Sequence, residues 1–136
     1  GVPTRAINDA AMQALGVYRH GTMLFLGLGT GLGSALIVDG HLAPMELGHM
    51  PWRGRTFEEE VGAAGLERLG KKKWRKRVSE VIEIFRAALG PDEIVVGGGN
   101  AKKLKELPPY VRTGNNADAF TGGFRLWEEA AQRRKR

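Results

Sequence analysis

Met23-Leu24-Phe25-Leu26-Gly27-Leu28-Gly29-Thr30-Gly31-Leu32-Gly33-Ser34-Ala35-Leu36-Ile37-Val38-Asp39-Gly40 joins two apolar runs through a glycine-rich turn and closes on Asp-Gly. Met23 to Leu28 has the length and composition of a buried strand, ended by glycines. Ser34 to Val38 reads as a second strand. Asp39-Gly40 is a hairpin turn pair, so His41 to Ala43 reads as a third strand, antiparallel to the second. Between the first two, Gly27, Gly29, Gly31 and Gly33 leave backbone N–H groups uncovered, and Thr30 adds a hydroxyl. Such a turn can cradle a phosphate. It lacks the Lys-Ser/Thr of a Walker loop. It also precedes a strand where a dinucleotide fingerprint needs a helix. A purely structural glycine hairpin would look the same.

Outward from this core, Asp9 to Val17 reads as a short helix that Asn8 or Asp9 can cap, with Met12 and Leu15 on one side. Downstream, Pro44 to Arg55 is irregular and Phe57 to Leu69 helical, with Gly70 as a C-terminal cap. Trp74, Val78, Val81, Ile82, Phe85 and Leu89 recur at helical spacing, and Gly90-Pro91 ends that amphipathic helix. Glu93 to Val96 is a β-branched run leading into Gly97-Gly98-Gly99-Asn100. Ala101 to Glu106 reads as a short helix, Tyr110 to Arg112 as a short strand, and Phe120 to Ala131 as the last helix. The order implies one α/β domain over residues 1–136, a mixed sheet covered by helices.

Hydrophobic residues make up 42% of the 136 and charged residues 26%, the balance of a soluble globular chain. There are no cysteines, which excludes disulfides and cysteine-ligated zinc. Gly1 to Ala10 has no long apolar core of a leader, and no run approaches the length of a membrane span. The expectation is a cytoplasmic protein. The net charge of +6 is concentrated in two blocks, Lys71 to Arg77 and Arg133 to Arg136. These would attract a polyanion, although such blocks are more often solvated surfaces. Trp74, Phe85, Phe124 and Trp127 fall on apolar helix faces and make no stacking series, which disfavours nucleic acid.

Three further groups could carry chemistry. Asp9 opens a helix, where an N-cap is the commoner role, but an aspartate can also accept the proton of a substrate hydroxyl in phosphoryl transfer. Glu46-Leu47-Gly48-His49 offers two side chains able to bond sugar hydroxyls beside a glycine that admits close approach. Gly97-Gly98-Gly99 forms either a tight turn or a backbone platform for a nucleotide.

The series Asn-Asp-Ala, Leu-Gly-Thr-Gly-x-Gly, Asp-Gly, Glu-x-Gly-His, Gly-Gly-Gly and Asn-Asn-Ala, from Asn8 to about Trp127, resembles the ROK sugar kinases, nearest the glucokinase and polyphosphate-glucokinase branch. The resemblance implies an actin-like ATPase, ribonuclease H-like fold. It implies Asp9 as catalytic base toward a sugar 6-hydroxyl and Asn8, Glu46, His49 and, less directly, Glu58 as sugar contacts. Gly29, Thr30, Gly31 and Gly33 would form a phosphate motif, and Gly97, Gly98 and Gly99 the nucleotide side. It further implies ATP or polyphosphate as donor with Mg2+, and a homodimer. The zinc-binding cysteines of many ROK proteins are absent, as in the polyphosphate branch.

The family's first phosphate motif, Asp-x-Gly-x-Thr, does not occur in these 136 residues. The chain therefore corresponds to the family's C-terminal half, and little turnover is expected without a separate N-terminal half. The alternative is a sugar-binding or assembly module without chemistry. The Lys71 to Arg77 block would suit a polyphosphate donor.

Overall fold

The computed structural model describes residues 9–114. The expected helix at Phe120 to Ala131 and the Asn8 side chain lie outside them. A five-stranded sheet has the order β3-β2-β1-β6-β7, with β1 Thr22–Leu28, β2 Leu32–Val38, β3 His41–Met45, β6 Glu93–Gly97 and β7 Val111–Thr113. β1, β2 and β3 are antiparallel neighbours; β6 lies parallel to β1, and β7 parallel to β6. A two-stranded ribbon, β4 Pro51–Trp52 and β5 Arg55–Thr56, stands apart from this sheet.

The helices explain why β1 is apolar on both sides. Leu24, Leu26 and Leu28 face a core with Trp74, Val78, Val81, Ile82 and Phe85 of the long helix α3, Ala63–Leu89. Met23 and Phe25 face the opposite core, with Ala10, Ala14 and Leu15 of α1, Asp9–Val17. A strand covered on both faces has no polar alternation, so a continuous apolar run is what burial requires. Trp74 is fully buried, and its indole N–H donates to the Val61 carbonyl at 2.8 Å.

Several boundaries differ from the sequence reading. The stretch expected to be irregular contains the end of β3, a single 3-10 turn at Leu47–His49 and the small ribbon. The expected helix from Phe57 to Leu69 is interrupted at Gly62, giving α2 Phe57–Val61 before α3 begins. A Cβ on Gly62 would stand 2.7 Å from the carbonyl oxygens of both Glu58 and Thr30, so the chain turns against the glycine loop there. Gly70 does break the helical path, with φ 82° and ψ 161°. The expected Ala101 to Glu106 helix is only a 3-10 turn at Ala101–Lys103. The Arg75 Nε–H donates to the Lys103 carbonyl at 2.6 Å, taking the acceptor that a continuing helix would use.

α2 starts with a capping box. Thr56 Oγ1 accepts from the Glu59 amide at 3.1 Å, and Glu59 Oε1 accepts from the Thr56 amide at 2.9 Å. One turn on, Glu60 is buried and meets Arg68 at 2.7 Å, Arg77 at 3.2 Å and Arg55 at 3.5 Å. This carboxylate ties the β5 end, α2 and both parts of α3 together. The arginines remain between 26% and 48% exposed and can rehydrate, so the full cost of an orphaned buried ion does not apply. Glu60→Gln is expected to lower unfolding free energy by about 1–2 kcal/mol, with the loss shrinking at high salt, as urea denaturation would measure.

Candidate active site

β1 and β6 are parallel and both end in glycine turns, so the two turns lie side by side at one end of the sheet. Their contact is close. Gly98 has φ 88°, and a Cβ there would stand 2.4 Å from the Leu28 carbonyl oxygen and 2.7 Å from the Leu28 nitrogen. The Asn100 amide donates to that same carbonyl at 2.9 Å. The left-handed conformation and the missing side chain are both needed for the second turn to seat on the first.

Within the first turn, Gly29 N–H donates to the Gly31 carbonyl at 3.2 Å, and the Leu32 N–H to Glu58 Oε1 at 3.0 Å. The Thr30 carbonyl accepts from Ala63 N–H at 3.1 Å. Because a trans peptide directs its N–H opposite to its C=O, the Gly31 N–H points away from the α2–α3 junction. The amides of Thr30 and Gly31 carry no hydrogen bond among the described residues. Nothing stands within 4 Å of where a Gly29 Cβ would be. The turn therefore presents two amide donors at an open backbone surface, the arrangement that binds an anion.

Three close approaches bring acidic side chains to this turn. Gly33 lets α1 pack on β2: its Cβ would lie 3.0 Å from that of Ala10, the residue after Asp9. Gly31 leaves space that Glu58 fills, since a Cβ there would come within 2.1 Å of Glu58 Oε1. Gly48 packs against the Leu32 carbonyl, 2.8 Å from its would-be Cβ. Ser34 fastens the same segment, donating to the Met45 carbonyl at 3.1 Å and accepting from the Leu47 amide at 3.2 Å.

The result is an open cleft of about 470 Å³ lined by Asp9, Thr30, Gly31, Glu46, Glu58 and Gly98, among others. Asp9 and Thr30 thus share one cavity. Glu46 is exposed at its rim, and His49 stands beside Glu46, with Nε2 at 3.5 Å from Oε2, rather than among the lining residues. Gly97 ends β6 and is buried beneath the turn, while Gly99 is exposed beyond it.

Sequence reasoning passed over Gln13 and Ser34, both of which line the cleft. Gln13 sits one turn after Asp9 on α1, and its Oε1 is a buried acceptor without a partner among the described residues. The spacing of four residues from Asp9 was the available clue.

No family model matches the chain. It is 32% identical over 121 residues to the polyphosphate glucokinase of Mycobacterium tuberculosis, a match that covers 82% of this chain and 46% of the relative. The inorganic polyphosphate/ATP-glucomannokinase from Arthrobacter sp. strain KM superposes with a TM-score of 0.77 at 30% identity, over 96% of this chain and 58% of that one. The chain belongs to the ROK family. A ROK family protein from Streptococcus pneumoniae, 14% identical, shares the fold with a TM-score of 0.73 over 93% of this chain. These neighbours establish the actin-like, ribonuclease H-like α/β class for this ROK domain. The chain spans about half the length of the curated relatives it matches.

Proposed function

We propose that this ROK domain is the sugar-binding and phosphate-binding part of a hexose kinase that moves a phosphoryl group from ATP or polyphosphate to a glucose-type 6-hydroxyl. The observation that carries this reading is the shared cleft: Asp9, with its carboxylate, and Thr30 and Gly31, whose amides carry no hydrogen bond among the described residues, line one space of about 470 Å³. The named activities of the polyphosphate glucokinase and the glucomannokinase support it.

In this reading Glu46, and Glu58 through the oxygen not bonded to the Leu32 amide, accept hydrogen bonds from sugar hydroxyls. Asp9 takes the proton of the 6-hydroxyl as that oxygen bonds to phosphorus. The bond from phosphorus to the donor's bridging oxygen breaks, and the departing electron pair stays on the donor. The Thr30 and Gly31 amides neutralise charge on the phosphate oxygens, the main contribution a protein makes to phosphoryl transfer. No group of three or more His, Cys, Asp or Glu side chains suited to a metal occurs among the described residues.

Calorimetric titration with glucose tests the reading. A hydrogen bond to a charged group contributes about 1.5–3 kcal/mol, so Glu46→Ala is expected to weaken glucose binding by about 10- to 100-fold. Wild-type chain that binds no glucose at millimolar concentration would overturn it. Glucose affinity of normal strength, with no phosphorylation from any donor even after the family's N-terminal half is supplied, would favour a sugar-binding module without chemistry.

A further inference from the structure

A second groove lies on the α3 face of the domain, with a volume of about 580 Å³. Arg75, Lys76 and Ser79 of α3 form one wall, and Leu104 and Lys105, just after the 3-10 turn, form the other. The two walls are fastened by the Arg75 to Lys103 hydrogen bond. Lys72 precedes Arg75 and Lys76 by three and four residues, so it extends the same helical stripe. Lys102 and Lys103 lie on the 3-10 turn itself. Six cations thus converge on two adjoining elements, and none of them enters an ion pair among the described residues. The carboxylates at this groove are Glu80, already held by Arg53 and Arg77, and Glu106.

Topology places this groove relative to the cleft. The last part of α3 leads through Gly90 into β6, and β6 ends at the glycine turn lining the cleft. A crossover helix runs opposite to the strand it precedes. Lys72 to Lys76, early in the segment after the Gly70 break, therefore sit toward the cleft end of the sheet. The 3-10 turn with Lys102 and Lys103 follows immediately after Gly98-Gly99-Asn100 at that same end. An anionic chain leaving the donor side of the cleft at Gly98 would meet these lysines next.

We infer that the groove between α3 and the Ala101–Lys105 segment binds the tail of a long condensed-phosphate chain whose reacting end occupies the glycine-turn cleft. This rests on the kinase reading above. It extends that reading from the reacting phosphate to a separate surface that holds the rest of the donor. Repeated phosphates need only closely spaced cations, whereas single-stranded nucleic acid also needs aromatic faces for its bases. The aromatics of α3, Trp74 and Phe85, are buried. A nucleotide triphosphate carries no run of phosphates beyond its reacting end, so the surface distinguishes donors by length.

The test is binding of long-chain inorganic polyphosphate, tripolyphosphate and glucose to the full 136-residue chain and to the Lys72→Ala/Lys76→Ala/Lys105→Ala variant. All three lysines are exposed, and a matching Lys→Arg triple controls for folding and for charge. The Ala triple is expected to lose roughly tenfold or more in long-chain affinity, and its log–log salt slope is expected to become shallower by about two units. Tripolyphosphate and glucose binding should not change, and the Arg triple should bind like wild type. Long-chain affinity that ignores the three substitutions overturns the inference, as does an equal loss for tripolyphosphate. So does a single-stranded DNA homopolymer that binds as tightly and loses as much, which would mark a nucleic-acid face. Wild-type chain without glucose binding sinks the kinase reading instead, and the two failures are read on different ligands.

Discussion

Asp9→Asn is expected to abolish phosphoryl transfer while leaving sugar binding nearly intact. The amide keeps the size of the carboxylate and can still accept a hydrogen bond from a hydroxyl, but it cannot take the proton. A positioned general base contributes about 10²–10⁴-fold, so the turnover of this domain complemented with the family's N-terminal half should fall by that factor. Glucose affinity should change by less than about threefold, within the difference between a charged and a neutral acceptor. The fold should be indifferent, because Asp9 is exposed at the start of α1 and its loss opens no cavity. Single-turnover measurements at saturating glucose separate the two effects. Turnover that survives Asp9→Asn would remove Asp9 from the proton path.

Gly98→Ala is expected to cost stability and function together. Holding an alanine at a positive φ costs about 1–2 kcal/mol. Forcing a methyl against packed backbone adds about 1–3 kcal/mol, and the atoms it would meet are the Leu28 backbone, not a side chain that can swing aside. The sum is a loss of about 2–5 kcal/mol, readable by chemical denaturation. The relief available is for the second glycine turn to lift off the first, which would also break the Asn100 to Leu28 hydrogen bond and widen the cleft. A variant that folds should therefore bind donor more weakly than sugar. Gly99→Ala serves as the contrast: nothing lies within 4 Å of its would-be Cβ, and both measurements should stay near wild type.

The elements legible in the sequence were those whose cause is local. β1 and β6 follow from apolar runs buried on both faces, the β2–β3 hairpin from Asp39-Gly40, and the α3 core from residues at helical spacing. Asp9, Glu46, Glu58 and the glycine turn were also named from sequence, and the fold brings them into one cavity. Their geometry was not legible. Glu58 reaches the Leu32 amide across 26 residues, and Gly48, in the 3-10 turn after β3, packs on the Leu32 carbonyl at the start of β2. Neither contact leaves a trace in local pattern. The break at Gly62 was missed because helical propensity says nothing of a carbonyl at Thr30 pressing on that position. Gln13 was missed because a lone glutamine in an amphipathic helix reads as surface.

The central strand completes its pairing late. β1 meets β2 within a few residues, yet Leu24 waits for Ile94, 70 positions downstream, to cover its other side. At a ribosomal pace of about 5–20 residues per second, that interval lasts roughly 4–14 s. For that time a strand apolar on both faces stands as an uncovered edge, the kind of template that recruits neighbouring chains. Any product cut or stalled within α3 keeps that edge permanently, so nicking in the long helix should yield aggregates instead of a smaller folded unit.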